Sequence, residues 1–264
     1  MRRTLSAVIS AALFIATVGS ILLAGVANAE EKQVLELRTY TLVDDASEAK
    51  LDVYLEKALI PALVRQGLGP IGAFDQAGEA KDGSIQVMLL IAGPSTEAIT
   101  TASAKLTSDE EYKSAASDYL STPAKKPIVK RIKSELLLSF DCWPKATVPE
   151  QKKSDKDRLF ELRVYESPTE NFGELKVEMF NAGEVPIFLD CGIQPVFMGQ
   201  ALVGDLMPNL TYMTVYDNSK TRDECWGKFF KHPDWDVLKK VEKYKGTVSK
   251  IHKSDWTPKS YSQL

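Results

Sequence analysis

Two short polar motifs hold the residues whose types and spacing could do chemistry. Each motif places a glutamate, an arginine and a tyrosine at alternate positions: Glu36, Arg38 and Tyr40 in the first, and Glu161, Arg163 and Tyr165 in the second. Residues two apart share one face of a β-strand, so each motif presents a carboxylate, a guanidinium and a phenol together. A guanidinium is a fork-shaped donor, which favours a small anionic or carbonyl-bearing ligand. The alternative is that glutamate and arginine neutralise each other as buried pairs that fix the register of the sheets.

Other reactive residue types are few. His232 precedes Pro233, and proline suits the first turn of a helix, so we expect His232 to cap a helix rather than to act as a catalytic base. His252 is expected at the surface. The chain contains no G-x-S-x-G, P-loop or H-E-x-x-H sequence. With two histidines and three cysteines, we predict no metal site and no cofactor, and whether the protein is an enzyme stays open.

An internal repeat indicates how the two motifs are positioned. Residues 35–40 recur as residues 160–165, and the same shift of 125 positions aligns further identical residues. Eight identities share this offset: the Glu, Leu, Arg and Tyr of the two motifs, Pro61 with Pro186, Gly67 with Gly192, Pro70 with Pro195, and Met88 with Met213. The register then shortens, which is typical of loop deletions. We therefore predict a tandem duplication.

Hydrophobic periodicity predicts the same six elements in each copy, in the order strand, helix, strand, strand, helix, strand. In the first copy these cover residues 34–41, 46–66, 72–77, 84–92, 95–120 (a broken helix) and 128–140. In the second copy they cover residues 158–165, 172–191, 196–202, 210–216, 221–244 and 247–251. The predicted organisation is a signal peptide (1–29), a first half (30–141), a linker (142–157) and a second half (158–264).

A βαββαβ unit is the ferredoxin-like motif, an α+β arrangement that leaves one sheet face without helices. We predict two such units packed sheet to sheet, as in a dimeric α/β-barrel fold. The apolar residues Leu35 and Leu37 are expected to meet the helices. The Glu-Arg-Tyr residues of both motifs would then face the barrel interior and form one ligand cavity.

Cysteine placement in this fold suggests one disulfide. Cys191 ends the first predicted helix of the second copy, and Cys225 lies early in the next. These helices would run antiparallel, so both thiols lie toward the same end of the sheet. An exported protein can keep a disulfide, so we consider a Cys191–Cys225 bridge as a candidate; Cys142 would remain unpaired.

The N-terminus and the composition indicate an exported protein. Residues 1–4 are basic, residues 5–26 carry no charge, and Ala27-Asn28-Ala29 matches a signal-peptidase site. We predict cleavage after Ala29 and a periplasmic or secreted mature protein without a membrane span; an uncleaved anchor is the alternative. The 33 basic and 36 acidic residues give a net charge of −3, which argues against nucleic-acid binding.

The sequence resembles the NIPSNAP family, strongly in residues 158–264 and weakly in residues 34–140. The resemblance depends on the order and spacing of E-L-R-x-Y in both copies and of the segments 186–188, 195–197, 208–213, 225–229, 232–235 and 261–263. It implies a dimeric α/β-barrel fold, and the family has no accepted enzymatic reaction. Its animal members are mitochondrial and act in protein interactions, whereas this chain carries a secretory signal.

These observations favour a non-catalytic module that binds a small molecule or a protein partner, and a homo-oligomer is open. The alternative is a cofactor-free oxygenase or isomerase acting on a small ligand inside the barrel, as in some relatives of the superfamily. Haem handling also occurs in such relatives, but the sequence places no axial histidine in the cavity. Analogy of fold is weak support for any of these activities.

Overall fold

Eight β-strands form the centre of the molecule in a computed structural model that describes residues 31–78 and 83–264. The predicted signal peptide (1–29) lies outside the described residues, as do residues 30 and 79–82. The strands are β1 (Val34–Leu42), β2 (Ile71–Gln76), β3 (Gln86–Gly93), β4 (Val129–Ser139), β5 (Leu159–Glu166), β6 (Gln194–Val203), β7 (Asn209–Tyr216) and β8 (Lys250–Pro258).

The helices follow the strands in the predicted alternation. They are α1 (Ala46–Tyr54), α2 (Ile60–Arg65), α3 (Thr96–Leu106), α4 (Glu110–Ala115), α5 (Ser117–Leu120), α6 (Glu150–Lys153), α7 (Glu170–Met179), α8 (Val185–Asp190), α9 (Ser219–Phe229) and α10 (Pro233–Leu238). One π-helical turn, Leu55–Leu59, joins α1 to α2, and another, Phe180–Glu184, joins α7 to α8. These two turns are 125 positions apart. A 3₁₀ turn, Glu242–Tyr244, precedes β8.

All eight strands close into one antiparallel barrel in the order β1-β3-β2-β8-β5-β7-β6-β4. The strands of each half are neighbours, and the halves join where β2 pairs with β8 and β4 pairs with β6. The predicted α/β-barrel is therefore confirmed, and the two sheets meet along hydrogen-bonded edges as well as face to face. Because the barrel is closed, none of these eight strands is an edge strand.

Apolar side chains from both halves fill the barrel interior. Leu35 and Leu37 of β1 belong to this interior cluster, together with Phe74, Met88, Phe160, Phe197, Met213 and Trp256. The predicted orientation of β1 is therefore wrong, since its leucines point into the barrel and not toward the helices. The interior of an eight-stranded barrel is just wide enough to be filled by side chains, and the leucines of β1 help to fill it.

Helices cover the outer face of the barrel. Tyr40 and Leu42 of β1 pack there with Leu51, Leu55 and Leu63 of the first helical segment. A glycine follows the end of this segment: Gly67 has a φ of +80°, and its counterpart Gly192 has a φ of +82°. Both positions lie in the left-handed region, which favours glycine at a helix C-terminus.

The last strand differs most from its prediction. We predicted residues 247–251, whereas β8 spans Lys250–Pro258. Charged and small residues interrupt its apolar pattern, because one face is exposed and only Trp256 points into the filled interior. Periodicity alone therefore ended this strand too early.

Candidate functional site

The two Glu-Arg-Tyr motifs lie on the outer face of the barrel, and the glutamate and arginine of each are paired. Arg38 donates from Nε and Nη2 to the two oxygens of Glu36, at 2.8 and 2.9 Å. Ser134 of the adjacent strand β4 donates to the same carboxylate at 2.7 Å. Arg163 makes the equivalent bidentate pair with Glu161, at 2.8 and 3.1 Å. Each carboxylate is thus neutralised by the arginine two positions along its own strand.

A cavity of about 630 Å³ lies beside the motif of the first half, between the barrel and helices α3 to α5; we call it the first cavity. Its volume is in the usual range for small-molecule sites. Its polar wall consists of Glu36, Arg38, Ser134 and Tyr40, and its aromatic wall of Tyr54, Tyr112 and Tyr119. Leu106, Leu120 and Ile132 line it further, so the cavity combines an apolar body with one polar end.

The aromatic wall of the first cavity is fixed by ring and hydroxyl contacts. The rings of Tyr54 and Tyr119 stack at 3.8 Å between centroids, and the hydroxyl groups of Tyr54 and Tyr112 lie 3.0 Å apart. Tyr119 also lines a neighbouring cavity of about 620 Å³, so its ring separates two cavities. Its position therefore limits how deep a ligand could reach.

Burial raises the pKa values of three phenols that line the first cavity. It raises the pKa of Tyr119 to about 12 and the pKa values of Tyr40 and Tyr54 above their ordinary value. Burial alone would lower the pKa of Arg38, but hydrogen bonding to Glu36 and the nearby tyrosine raise it overall. The site therefore offers hydroxyl groups, the Glu36–Arg38 ion pair and the ammonium group of Lys113, which pairs with Glu110.

The motif of the second half borders a different depression of about 500 Å³, between β8 and α9, which we call the second cleft. Its cationic residues are Arg163, Arg222 and Lys253, and its aromatic residues are Trp226 and Phe230. The indole of Trp226 covers Arg163, whose guanidinium carbon lies 3.6 Å from the ring centroid. The indole N–H also donates to Glu161 at 2.9 Å. Trp226 thereby seals the motif that stays open in the first half.

The structure does not bring the six predicted residues into one cavity. Glu36, Arg38 and Tyr40 line the first cavity, and Glu161 and Arg163 line the second cleft. Tyr165 lines neither, because its hydroxyl group is buried against Tyr212 at 2.8 Å. The predicted ligand cavity inside the barrel is wrong, since apolar side chains occupy that space.

The cysteine and histidine predictions have different outcomes. Cys191 and Cys225 are both buried free thiols, so the candidate disulfide is wrong; Cys142 is free as well. His232 is the N-cap of α10, where its Nδ1 accepts from the backbone N–H of Asp234 at 3.2 Å. His252 pairs with Glu166 at the start of β8 and is partly buried.

Sequence reasoning missed the residues that distinguish the two sites. Tyr112 and Tyr119 are seven positions apart, a spacing that places them on one side of a helical segment, and this signal could have identified the aromatic wall. Lys253 lies in the part of β8 that periodicity omitted. Arg222 belongs to no sequence motif. It lies in the cleft because α9 packs against β8.

Two further features concern metal ions and membranes. Within residues 31–78 and 83–264, no group of three or more histidine, cysteine, aspartate and glutamate side chains is arranged to hold a metal ion. Over the same residues, no helix combines the length and the apolar character needed to cross a membrane.

Solved structures share the fold. A crystal structure of a candidate monooxygenase from Fusobacterium nucleatum subsp. nucleatum has a TM-score of 0.54 at 11% identity, covering 87% of this chain and 93% of that chain. A candidate monooxygenase from Lactobacillus acidophilus has a TM-score of 0.52 at 12% identity, covering 86% and 94%. At such identities the similarity shows a common mixed α/β fold and does not extend to activity.

Two further comparisons concern the NIPSNAP family. A NIPSNAP family protein from Agrobacterium tumefaciens has a TM-score of 0.37 at 15% identity, covering 41% of this chain and 92% of that chain. None of the curated protein sequences compared with this chain matches it. The NIPSNAP family model matches residues 160–263, which span β5 to the C-terminal segment. The chain therefore carries a NIPSNAP domain over residues 160–263.

Proposed function

We propose that the protein is a non-catalytic ligand-binding module, and that the first cavity takes a small, planar, uncharged molecule with one hydrogen-bonding group. The observation that carries this proposal is the open first cavity itself, with an aromatic wall facing a paired arginine and glutamate. The alternative of a cofactor-free oxygenase or isomerase is not favoured, since the fold shared with candidate monooxygenases is its main support.

The chemistry of the lining supports binding rather than catalysis. Glu36 is held by Arg38 and Ser134, so it is poorly placed to accept a proton as a general base. The raised pKa values of Tyr40 and Tyr54 keep these phenols protonated. The lining includes no histidine or cysteine. The groups present can orient a ligand but have little capacity to transfer protons near neutral pH.

The same lining defines the ligand class. Glu36 occupies two of the five N–H groups of Arg38, so the guanidinium can still donate to a further acceptor. An additional net charge on the ligand would meet no unpaired counter-charge at this polar end. A neutral hydroxyl or carbonyl group at Arg38, with a ring stacked beside Tyr119, fits these constraints.

The test compares the two halves directly. Ser103 and Thr107 border the first cavity at the α3 positions that correspond to Trp226 and Phe230 on α9, counted from the helix caps Ser95 and Asn218. Ser103→Trp should therefore place an indole inside the first cavity, over Arg38, as Trp226 lies over Arg163. Ser103 is exposed, so the variant should fold.

We would titrate 2-naphthol into residues 30–264 by isothermal titration calorimetry and examine unrefolded protein by native mass spectrometry for a co-purified molecule. Ser103→Trp should weaken 2-naphthol binding about tenfold or more, equivalent to about 1.4 kcal/mol. The matched control is Ala104→Trp, an exposed neighbour that does not line the cavity. Equal binding to both variants, or no binding by the wild type, would refute the site.

We also propose that the protein is exported and that its halves arose by duplication of a ferredoxin-like unit. The leader at residues 1–29 supports export. The matching offset of the two π-helical turns supports duplication. Expression with the leader should give a periplasmic protein whose mass corresponds to a chain beginning at Glu30. A full-length cytoplasmic product would contradict the export proposal.

A further inference from the structure

The second cleft contains a lysine without a counter-charge. Lys253 of β8 lies directly opposite Arg163 of β5, so two cations share one face of the barrel. Like charges at directly opposed positions destabilise a sheet. In the first half, the position opposite Arg38 holds Ser134, which avoids this repulsion and donates to Glu36. The lysine is therefore a specific difference between the halves.

The carboxylates around Lys253 already have partners. Glu161 binds Arg163 and the Trp226 indole N–H. Asp255 binds Arg222, and Asp223 binds Arg222 at 3.0 Å. Among the residues that the structure describes, Lys253 makes no hydrogen bond or ion pair. Lys253 is exposed at the cleft surface; partial burial, followed by the charge of Arg163, lowers its pKa.

An apolar surface adjoins this cation. The Phe230 side chain lines the cleft and is 57% exposed, although large aromatic rings are usually covered. Its ring lies 5.9 Å from Trp226 at an interplanar angle of 30°, so the two form a continuous aromatic wall. Trp226 is itself held by Arg163, which makes this wall rigid.

We infer that the second cleft binds a planar organic anion, with Lys253 contacting its carboxylate or other anionic group and Phe230 contacting its ring. A bound anion would give Lys253 the counter-charge that it lacks, and its ring would cover exposed aromatic surface. The cleft volume of about 500 Å³ accommodates such a molecule. This inference goes beyond the proposed function, because it concerns a separate site with a different charge requirement.

The probes are 2-naphthoate and its neutral analogue 2-naphthamide. Titrations would use the Ser103→Trp chain, in which the first cavity is filled, so that binding reports on the second cleft. We expect 2-naphthoate to bind about tenfold more tightly than 2-naphthamide, as is typical of a charge-assisted hydrogen bond. Raising the salt concentration should weaken naphthoate binding, since the cleft is open to solvent.

Variants then locate the site. Lys253→Gln should lower naphthoate affinity about tenfold and leave naphthamide binding unchanged, whereas Phe230→Ser should weaken both probes. Lys250→Gln is the matched control, an exposed lysine of the same strand that does not line the cleft. Unchanged naphthoate affinity in Lys253→Gln would overturn the inference, as would equal affinity for both probes. Absence of naphthoate binding at about 1 mM, the weak end of the affinity range, would overturn it too.

Discussion

The two halves of the barrel share a backbone plan but fill the space under their helices differently. In the first half, Ser103 leaves the paired Glu36 and Arg38 beside an open cavity. In the second half, Trp226 stacks on Arg163 and closes the equivalent space. The feature that the two halves share is thus the ion pair on the strand, whereas the helix residue above it decides whether an indole covers the arginine.

A second difference lies deeper in the helical layer. Lys176 and Glu184 of the second half form a buried ion pair at 2.6 Å. The positions 125 residues earlier are Leu51 and Leu59, which are buried and belong to an apolar cluster. The second half therefore has an ion pair at the positions where the first half has two leucines. Since a buried ion pair seldom stabilises more than apolar packing, we do not attribute it to stability.

The largest expected effect comes from separating the halves. Residues 158–264 alone would lose the β2–β8 and β4–β6 pairings and expose the interior cluster that both halves build. We expect no cooperative thermal transition from this fragment, because its apolar face would be left in water. Co-expression with residues 30–157 should restore a single transition. A monomeric fragment that melts cooperatively would show that the halves are independent domains.

Opening the second half should cost less, but still a large fraction of the stability. Trp226→Ala removes a buried ring and the hydrogen bond to Glu161, so we expect a loss of about 4–5 kcal/mol in the free energy of unfolding. Urea denaturation measures this value. Phe230→Ala, an exposed neighbour on the same helix, is the control and should change stability by less than about 1 kcal/mol. Equal losses in the two variants would mean that the buried Trp226 contributes no more to stability than the exposed Phe230.

For the buried ion pair of Lys176 and Glu184, we expect the double substitution to destabilise the protein less than a single substitution does. Glu184→Leu leaves the Lys176 ammonium group buried without its partner, so we expect a loss of about 3–5 kcal/mol. The double variant Lys176→Leu/Glu184→Leu reproduces the leucines of the first half. It should be neutral or more stable than the wild type by about 1–4 kcal/mol. A double variant as unstable as Glu184→Leu would mean that the pair itself stabilises the helical layer.

The alternation of strands and helices could be predicted from the sequence because local periodicity determines it. The sequence predicts correctly that Glu36 and Arg38 share one face of β1. The prediction that this face points into the barrel is wrong. Both faces of β1 are buried, so hydrophobicity does not reveal which one faces the interior. The difference between Ser103 and Trp226 was also visible in the sequence. Its meaning, an open or a closed cavity, depends on the packing of α3 and α9 over the strands.

The smallest expected effect concerns the open cavity and is a pH dependence. Burial raises the pKa of Tyr119 to about 12, whereas tyrosine in an unfolded chain titrates near 10. The folded state therefore holds this proton more tightly. Its contribution to stability is complete below about pH 10 and is lost as the pH rises toward about 12.

Tyr119→Phe isolates this contribution from that of the other tyrosines. The difference in unfolding free energy between wild type and variant should be constant below about pH 10 and should shrink, or change sign in favour of the variant, toward about pH 12. Urea denaturation at intervals across this range measures it. Tyr244→Phe is the control, because Tyr244 does not line the first cavity and does not belong to the stack of Tyr54 and Tyr119. A pH-independent difference for Tyr119→Phe would mean that its hydroxyl group is as well hydrated as in the unfolded chain, and that the first cavity is wetter than its aromatic wall implies.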